Sequence, residues 1–436
     1  MALTGAEQYL LELINRARLD PAGEAKRLGT SLNAGLEPGE IGTGAQQVLA
    51  PDTALEDAAV AHSEWMLAQD LFSHTGAGGS SAGDRMRDAG YAFEGSWSWG
   101  ENLAWSGSTG QIDLESAIVQ HYEGLFHSPG HRANTLDAGY REIGIGQVEG
   151  QYSTGGRTYN SSMLTETFAT SGPAHFVTGV AYRDSDGDNF YGIGEGRAGV
   201  WIASSEGRTT TAAAGGYSLE TLSDGMTDLS LGEGNRTLAR LSLDLSEGNA
   251  KLDVVTGTNG KITLAVSVSA ELVSGAGQAR LLGSADLSLA GHAGSNLLVG
   301  NTGANLLSGL AGNDRLRGGE GADRLFGGDG NDQLRGDGGN DRLTGGKGND
   351  VMTGGAGADV FVFTEGRDRI TDFTNNVDTI VIDSGDLGLG KVSAARTADL
   401  FEIRNGNAVL ELDNGDVLTV RGVRDAGQLA DDISFA

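Results

Sequence analysis

Six aspartates, Asp314, Asp323, Asp332, Asp341, Asp350 and Asp359, stand nine residues apart, and Asn296 and Asn305 carry the same beat towards the N-terminus. Two residues before each lies a glycine, from Gly294 to Gly357, and two residues after each a large apolar residue, from Leu298 to Phe361. Carboxylates are hard oxygen donors, and Ca²⁺ takes six to eight such oxygens together with backbone carbonyls. Strands stacked at ~4.8 Å would bring successive carboxylates close enough to repel by roughly 0.9 kcal/mol in water. A stack of such aspartates therefore resists closure unless a divalent cation lies within it. A second acidic set, Asp184, Asp186, Asp188 and Glu195, falls at positions 1, 3, 5 and 12 of one loop. That is the ligand spacing of a calcium loop, with Asn189 at the sixth place where glycine is usual.

The elements that position these residues follow from the phases. Each nonapeptide reads as a glycine turn and a short strand, its apolar residue inward and its aspartate in the turn. The stacked units predict a parallel β-roll solenoid over residues 290–363. A flexible glycine-rich linker needs no apolar residue in phase. The segment resembles the RTX (repeats-in-toxin) nonapeptide family, most closely from Gly318 to Val362. Asn301, Leu310 and Asp337 replace the second glycine of their units, and the resemblance implies bound Ca²⁺ mainly between the later units. Beyond it, β-branched runs such as Thr379-Ile380-Val381-Ile382 read as strands capping the solenoid over 364–436. This stretch resembles the C-terminal segment of serralysin-type exoproteins, which implies an uncleaved type I secretion signal and the type I machinery as partner.

Residues 175–270 alternate apolar and polar side chains, as at Val177, Val180 and Tyr182 or Leu241, Leu243 and Leu245, and predict an antiparallel, all-β sandwich. The Asp184–Glu195 loop lacks flanking helical patterns, so it is no helix-loop-helix hand; it resembles the loop of SdrD B-like surface modules. Residues 270–290 read as a connecting strand and linker.

Residues 1–172 differ in composition, with helical periodicity at Tyr9, Leu10, Leu13, Ile14 and Ala17, then around His62 and Trp65, then around Tyr122. Strand-like runs follow at 142–146 and 164–168, which predicts an α/β domain, an α-β-α sandwich. In order come Phe72-Ser73-His74-Thr75-Gly76, Asp84-Arg85-Met86, Gly100-Glu101-Asn102-Leu103-Ala104 and Ser128-Pro129-Gly130-His131-Arg132-Ala133-Asn134. These motifs resemble the CAP superfamily, also called SCP-like, in its bacterial form. That family groups two histidines and two glutamates in a cleft, often around a divalent metal. His74 and His131 match the histidines and Glu101 the first glutamate; Ser128-Pro129-Gly130 occupies the region of the second, for which Glu123, one turn upstream, is only a candidate, so the tetrad is incomplete. The resemblance implies a possible Zn²⁺ on His74 and His131, with a carboxylate as ligand or general base towards bound water. His127 and His131 are four apart, but Pro129 and Gly130 break the helix between them.

Bulk composition bounds the rest. A formal net charge of −29 repels nucleic acid and anionic lipid. No cysteine is present, so disulfides and thiolate metal sites are excluded. There is no run of 18 apolar residues, hence no integral membrane segment, and the N-terminus predicts no conventional signal peptide. The expectation is a multidomain protein, secreted and extracellular, calcium-binding and exported by type I secretion. Its CAP cleft is expected to bind an extracellular ligand or cell-surface target, the incomplete tetrad favouring binding over turnover. The alternatives are a metal-assisted, peptidase-like hydrolase using His74, His131 and Glu101, and a structural or adhesive surface protein.

Overall fold

The computed structural model describes residues 2–383 and 398–435. The chain divides into two compact units, one formed by residues 1–238 and 243–261, the other by 239–242 and 262–436.

In the first unit, α1 (Gly5–Leu19) starts at a capping box: the Thr4 hydroxyl accepts from the Glu7 N–H, and Glu7 reaches back to the Thr4 N–H. Asp20 ends α1 and caps α2 (Pro21–Arg27), because the proline at the first position of α2 cannot continue the preceding turn. The remaining helices are α3 (Thr53–Gln69), α4 (Ala82–Asp88), α5 (Leu114–His127) and α6 (Pro129–Thr135). With β1 (Ala50–Pro51), β2 (Ser98–Ser108), β3 (Glu142–Thr154) and β4 (Arg157–Thr170), they form a sheet in the order β1-β3-β4-β2 with α3 and α5 packed against it. Gly144 and Gly146 let α3 approach β3, since a Cβ there would lie 2.0 Å and 2.3 Å from the α3 backbone. The main core joins Leu10, Ile14, Ile118, Phe126, Ile145 and Phe168.

Strands within 175–233 and 250–256 belong to the same unit. His175–Arg183 pairs antiparallel with Gly216–Thr221 and parallel with Ala250–Thr256, so the expected antiparallel sandwich is mixed. It is also tied to α1: Lys251 is buried between Glu12, at 2.7 Å, and Asp253. Burial pushes the Glu12 carboxyl up to about 7 against the pull of Lys251.

The second unit is a parallel solenoid of about seven turns over 264–382. Pairing runs at i to i+18: Leu316 faces Leu334, and Leu325 faces Leu343. Each turn therefore holds two nonapeptides, one strand on each of two sheets. The inward ladder from Leu298 to Phe361 is buried at every rung. Strands within 262–290 already belong to these ladders: Gln278–Leu281 pairs with Leu297–Val299, and Ser288–Ala290 with Leu306–Ala311. The stretch read as connector is thus solenoid: its buried Ala279 and Leu289 pair with Leu298 and Leu307 of the inward ladder, without the glycine–aspartate turns that mark later units. Arg367–Ile370, Thr379–Ile382, Val417–Val420 and Ile433–Phe435 extend the two ladders in parallel register.

Candidate metal centres and the cleft

The nine-residue row of aspartates folds into two columns, because alternate units fall on opposite sides of the roll. One holds Asp314, Asp332, Asp350 and Asp368; the other Asp323, Asp341, Asp359 and Asp378. In each, Oδ1 accepts the backbone N–H one turn earlier: Asp314 N to Asp332 Oδ1 at 2.8 Å, Asp323 N to Asp341 Oδ1 at 2.8 Å, Asp350 N to Asp368 Oδ1 at 2.9 Å, Asp359 N to Asp378 Oδ1 at 3.0 Å. The Oδ2 atoms of Asp314, Asp323, Asp332, Asp341, Asp350 and Asp368 are buried and find no hydrogen-bond partner among the described residues. Leaving a buried charged acceptor unpaired is costly.

The space beside these oxygens is kept by glycine. A Cβ at Gly309 would lie 2.4 Å from Asp314 Oδ2 and 2.6 Å from the Gly327 carbonyl oxygen. The same cradle recurs at Gly318, Gly327 and Gly336 against Asp323, Asp332 and Asp341. Orphaned carboxylate oxygens facing carbonyl oxygens are a hard donor set that fits Ca²⁺. Without a cation, burial pushes the carboxyls up: Asp314, Asp323 and Asp350 to about 6, Asp341 to about 7 and Asp368 to about 8, the backbone N–H bonds opposing.

At Asn296 and Asn305 the amide oxygen lies on the glycine side, 2.2 Å and 2.4 Å from a Cβ at Gly291 and Gly300, and is already taken by the His292 N–H at 2.9 Å and the Asn301 N–H at 2.8 Å. The Asn305 Nδ2 donates to Asn301 Oδ1 at 3.0 Å, so the first units close on themselves. Leu310 and Asp337, in place of glycine, adopt φ of +75° and +76°, a strained conformation for side-chain-bearing residues. Asp337 is clamped there by Arg317 and Arg335.

The acidic loop assembles as spaced. Carboxylate oxygens of Asp184, Asp186 and Asp188 lie within 4.8 Å of one another. Glu195 instead closes the loop base, Oε1 accepting from the Ser185 N–H at 2.8 Å and Oε2 from the Gly192 N–H at 2.9 Å. Asn189 takes φ +60°, as the sixth position demands.

In the cleft, His74 comes from the loop after α3, Arg85 from α4, Glu101 from β2 and His131 from α6. Glu101 is buried, its side chain 3% exposed, and both its oxygens are engaged: Oε1 with His74 Nδ1 at 2.8 Å, Oε2 with Arg85. An ionised Glu101 makes Nδ1 the protonated nitrogen of His74, leaving the other as acceptor on a ring 61% exposed. Arg85 also donates to the His74 and Ser80 carbonyls, at 3.1 Å each. His62, buried and stacked on Trp65, holds the Ser73 carbonyl at 2.9 Å. Burial lowers the His131 pKa, helped by nearby His74. Asn102 donates to the His131 carbonyl at 3.2 Å and to Glu166 at 3.0 Å, and burial pushes Glu166 up to about 7.

This geometry changes the expected role of Glu101. It orients His74 and balances Arg85, with one partner at each oxygen. Among the described residues, three possible ligand atoms lie within 4.8 Å of one another at Asp184, Asp186 and Asp188, and not at His74, His131 and Glu101. Glu123 is solvent-exposed on α5 and joins none of the cleft's hydrogen bonds. Reading the sequence missed three residues. Asp368 keeps all three phases, with Gly366 two before it and Ile370 two after; Asp378 slips by one residue; Arg85 is revealed only by its long-range partner.

The model of the Cysteine-rich secretory protein family (CAP) matches residues 11–164. That of the RTX calcium-binding nonapeptide repeat matches 290–325, 299–334 and 335–370. Among solved structures, an extracellular protein containing a SCP domain from Bacillus anthracis is 26% identical, with 28% of this chain and 34% of that chain covered and a TM-score of 0.22. An outer surface protein from Borrelia burgdorferi is 17% identical, covering 38% of this chain and 93% of that one at TM-score 0.25. A subunit of the Azotobacter vinelandii mannuronan C5-epimerase is 29% identical, covering 33% and 79% at TM-score 0.20. The chain thus spans about a third of the length of the Bacillus anthracis protein. No curated protein matches the chain. No helix of the described residues is long and apolar enough to cross a membrane. The two modules are those of a calcium-binding protein of extracellular type. Residues 11–164 are a domain of the CAP family, and the C-terminal solenoid is built on RTX calcium-binding repeats.

Proposed function

We propose that this is a secreted protein whose RTX columns bind Ca²⁺ through the Oδ2 atoms of Asp314, Asp323, Asp332, Asp341, Asp350, Asp359 and Asp368, and fold on doing so. The observation that carries it is the six buried Oδ2 atoms without a partner beside glycine-cleared carbonyls. Extracellular calcium modules bind at ~10⁻⁴–10⁻³ M, far above cytosolic Ca²⁺. The solenoid then stays open inside the cell and closes after export by a type I system. Each site at ten times its Kd adds ~1.4 kcal/mol, so several together match the ~5–15 kcal/mol of a whole domain. The Asp184, Asp186, Asp188 loop is a further calcium site, with Glu195 bracing it. Calcium titration of the full chain, followed by circular dichroism and bound-metal content, tests this. β-structure that grows with several equivalents of Ca²⁺ is the expected result; an identical spectrum in excess chelator sinks it.

The CAP cleft acts as a binding module for an extracellular ligand rather than as a hydrolase. What favours this is Glu101, whose two oxygens are committed to His74 and Arg85. The outward nitrogen of His74 is the acceptor offered to a ligand. Hydrolysis of a peptide panel that disappears in His74→Ala would reverse this reading.

A further inference from the structure

Arginines in so acidic a chain have carboxylates to choose from, and some in the solenoid use them. Arg317 and Arg335 grip Asp337, and Arg404 pairs with Glu402 and Glu411. Arg367, Arg369 and Arg421 do not. Among the described residues none of the three has an ion-pair or hydrogen-bond partner for its guanidinium, and all three are exposed. They nonetheless line one open cavity of about 510 Å³, with Asn349, Asn407 and Thr419.

The register explains why they converge. Arg367–Ile370 pairs in parallel with Val417–Val420, Arg369 facing Thr419. Period-two alternation puts Arg367 and Arg369 on the outer face and Asp368 inward between them. Arg421 follows Thr419 on the same outer face of the neighbouring strand. Directly beneath lie Asp350 and Asp368, which line the same cavity and belong to one calcium column.

We infer that Arg367, Arg369 and Arg421 form an oxyanion-binding site, taking a carboxylate, sulfate or phosphate group of an extracellular ligand, and that calcium in the column below strengthens it. The guanidinium fork matches planar or tetrahedral oxyanions and donates two parallel hydrogen bonds to each. Asn349 and Asn407 supply neutral amide groups at the rim. Three guanidinium groups line the cavity above Asp350 and Asp368, and one Ca²⁺ between those carboxylates compensates them fully, leaving the three arginine charges unopposed. Filling the column thus removes the negative charge that the ionised carboxylates set against a bound anion. The coupling rests on the calcium reading above; the pocket itself does not.

Calorimetric titration of the calcium-loaded full chain with sulfate, glucuronate, glycerol phosphate and a sulfated disaccharide tests the site and separates the sources. At least one anion is expected to bind, and Arg367→Ala/Arg369→Ala to weaken it by about tenfold or more, with Arg369→Lys intermediate because a point charge keeps attraction but loses the fork. Calcium content, measured on the same samples, must match wild type in each variant. No binding of any probe, or unchanged affinity in a double variant holding the full calcium complement, overturns the proposal. Raising Ca²⁺ from half to full occupancy is expected to tighten anion binding about five- to tenfold; equal affinity at both overturns the coupling. A chain that takes up no calcium yet binds anions through these arginines would defeat the calcium reading and leave the pocket standing.

Discussion

Glu101 and Asp332 are both carboxylates removed from water, and their surroundings treat them in opposite ways. Glu101 gives one oxygen to His74 and the other to Arg85, within a unit that has its own apolar core. Asp332 Oδ1 accepts the Asp314 N–H, and its Oδ2 has no hydrogen-bond partner among the described residues. The first arrangement is complete as covalent chain alone. The second is complete only when something outside the chain arrives. Burial of a charged group therefore marks function here less by its depth than by what remains unpaired.

Four experiments press on that contrast. The largest effect is expected in chelator. The column aspartates have folded-state pKa values raised above their ordinary value of 3.8, to about 6 for Asp314, about 7 for Asp341 and about 8 for Asp368. Protons therefore bind the folded form more tightly than the unfolded one. That contribution is full below the unfolded pKa and is lost as pH rises through about 6 to 8. Calcium-free solenoid should gain β-structure on acidification from pH 8 to pH 4.5, read by circular dichroism. A trend in the reverse direction would mean the carboxylates are paired after all. Second, Arg85→Ala strips Glu101 of its cation and should destabilise the first unit by about 3 kcal/mol, the usual cost of orphaning a buried charge. Thermal melting with saturating calcium reads it, and the solenoid's transition should not move. Third, Asp341→Asn keeps one side-chain oxygen and replaces the other by an amide nitrogen, which cannot ligate a cation. Bound calcium should fall and the folding midpoint in Ca²⁺ rise roughly tenfold, about 1.4 kcal/mol. Last, Glu123→Ala at its exposed position should change stability by less than about 0.5 kcal/mol and leave cleft binding intact. A large loss there would restore the four-residue cleft.

The contrast also governs what could be read from residues alone. The solenoid's contacts repeat at fixed spacing, so glycine, aspartate and leucine phases exposed its architecture. They did not reveal that two units make one turn, since a nine-residue beat is compatible with one column or two. Asp368 kept every phase but sat among arginines and β-branched residues, where it read as part of a cap. The connector at 270–290 lacked the turn signature although Ala279 and Leu289 were already in the ladder. The cleft is harder still. His74, Arg85, Glu101 and His131 are brought together by four separate elements, and no local spacing says that Arg85 claims an oxygen of Glu101. Motif resemblance supplied the histidines and that glutamate; only tertiary geometry assigned their roles.

The 18-residue pairing has a consequence for how such an array can change in length. Inserting or deleting a single nonapeptide would carry every later unit to the opposite sheet, exchanging Arg369's face for that of Val360 and Val362. Duplication of two units leaves each downstream side chain on its own side and merely adds a rung. The repeat seen in the letters is thus half of the heritable step, and lineages of this solenoid should grow and shrink in even numbers.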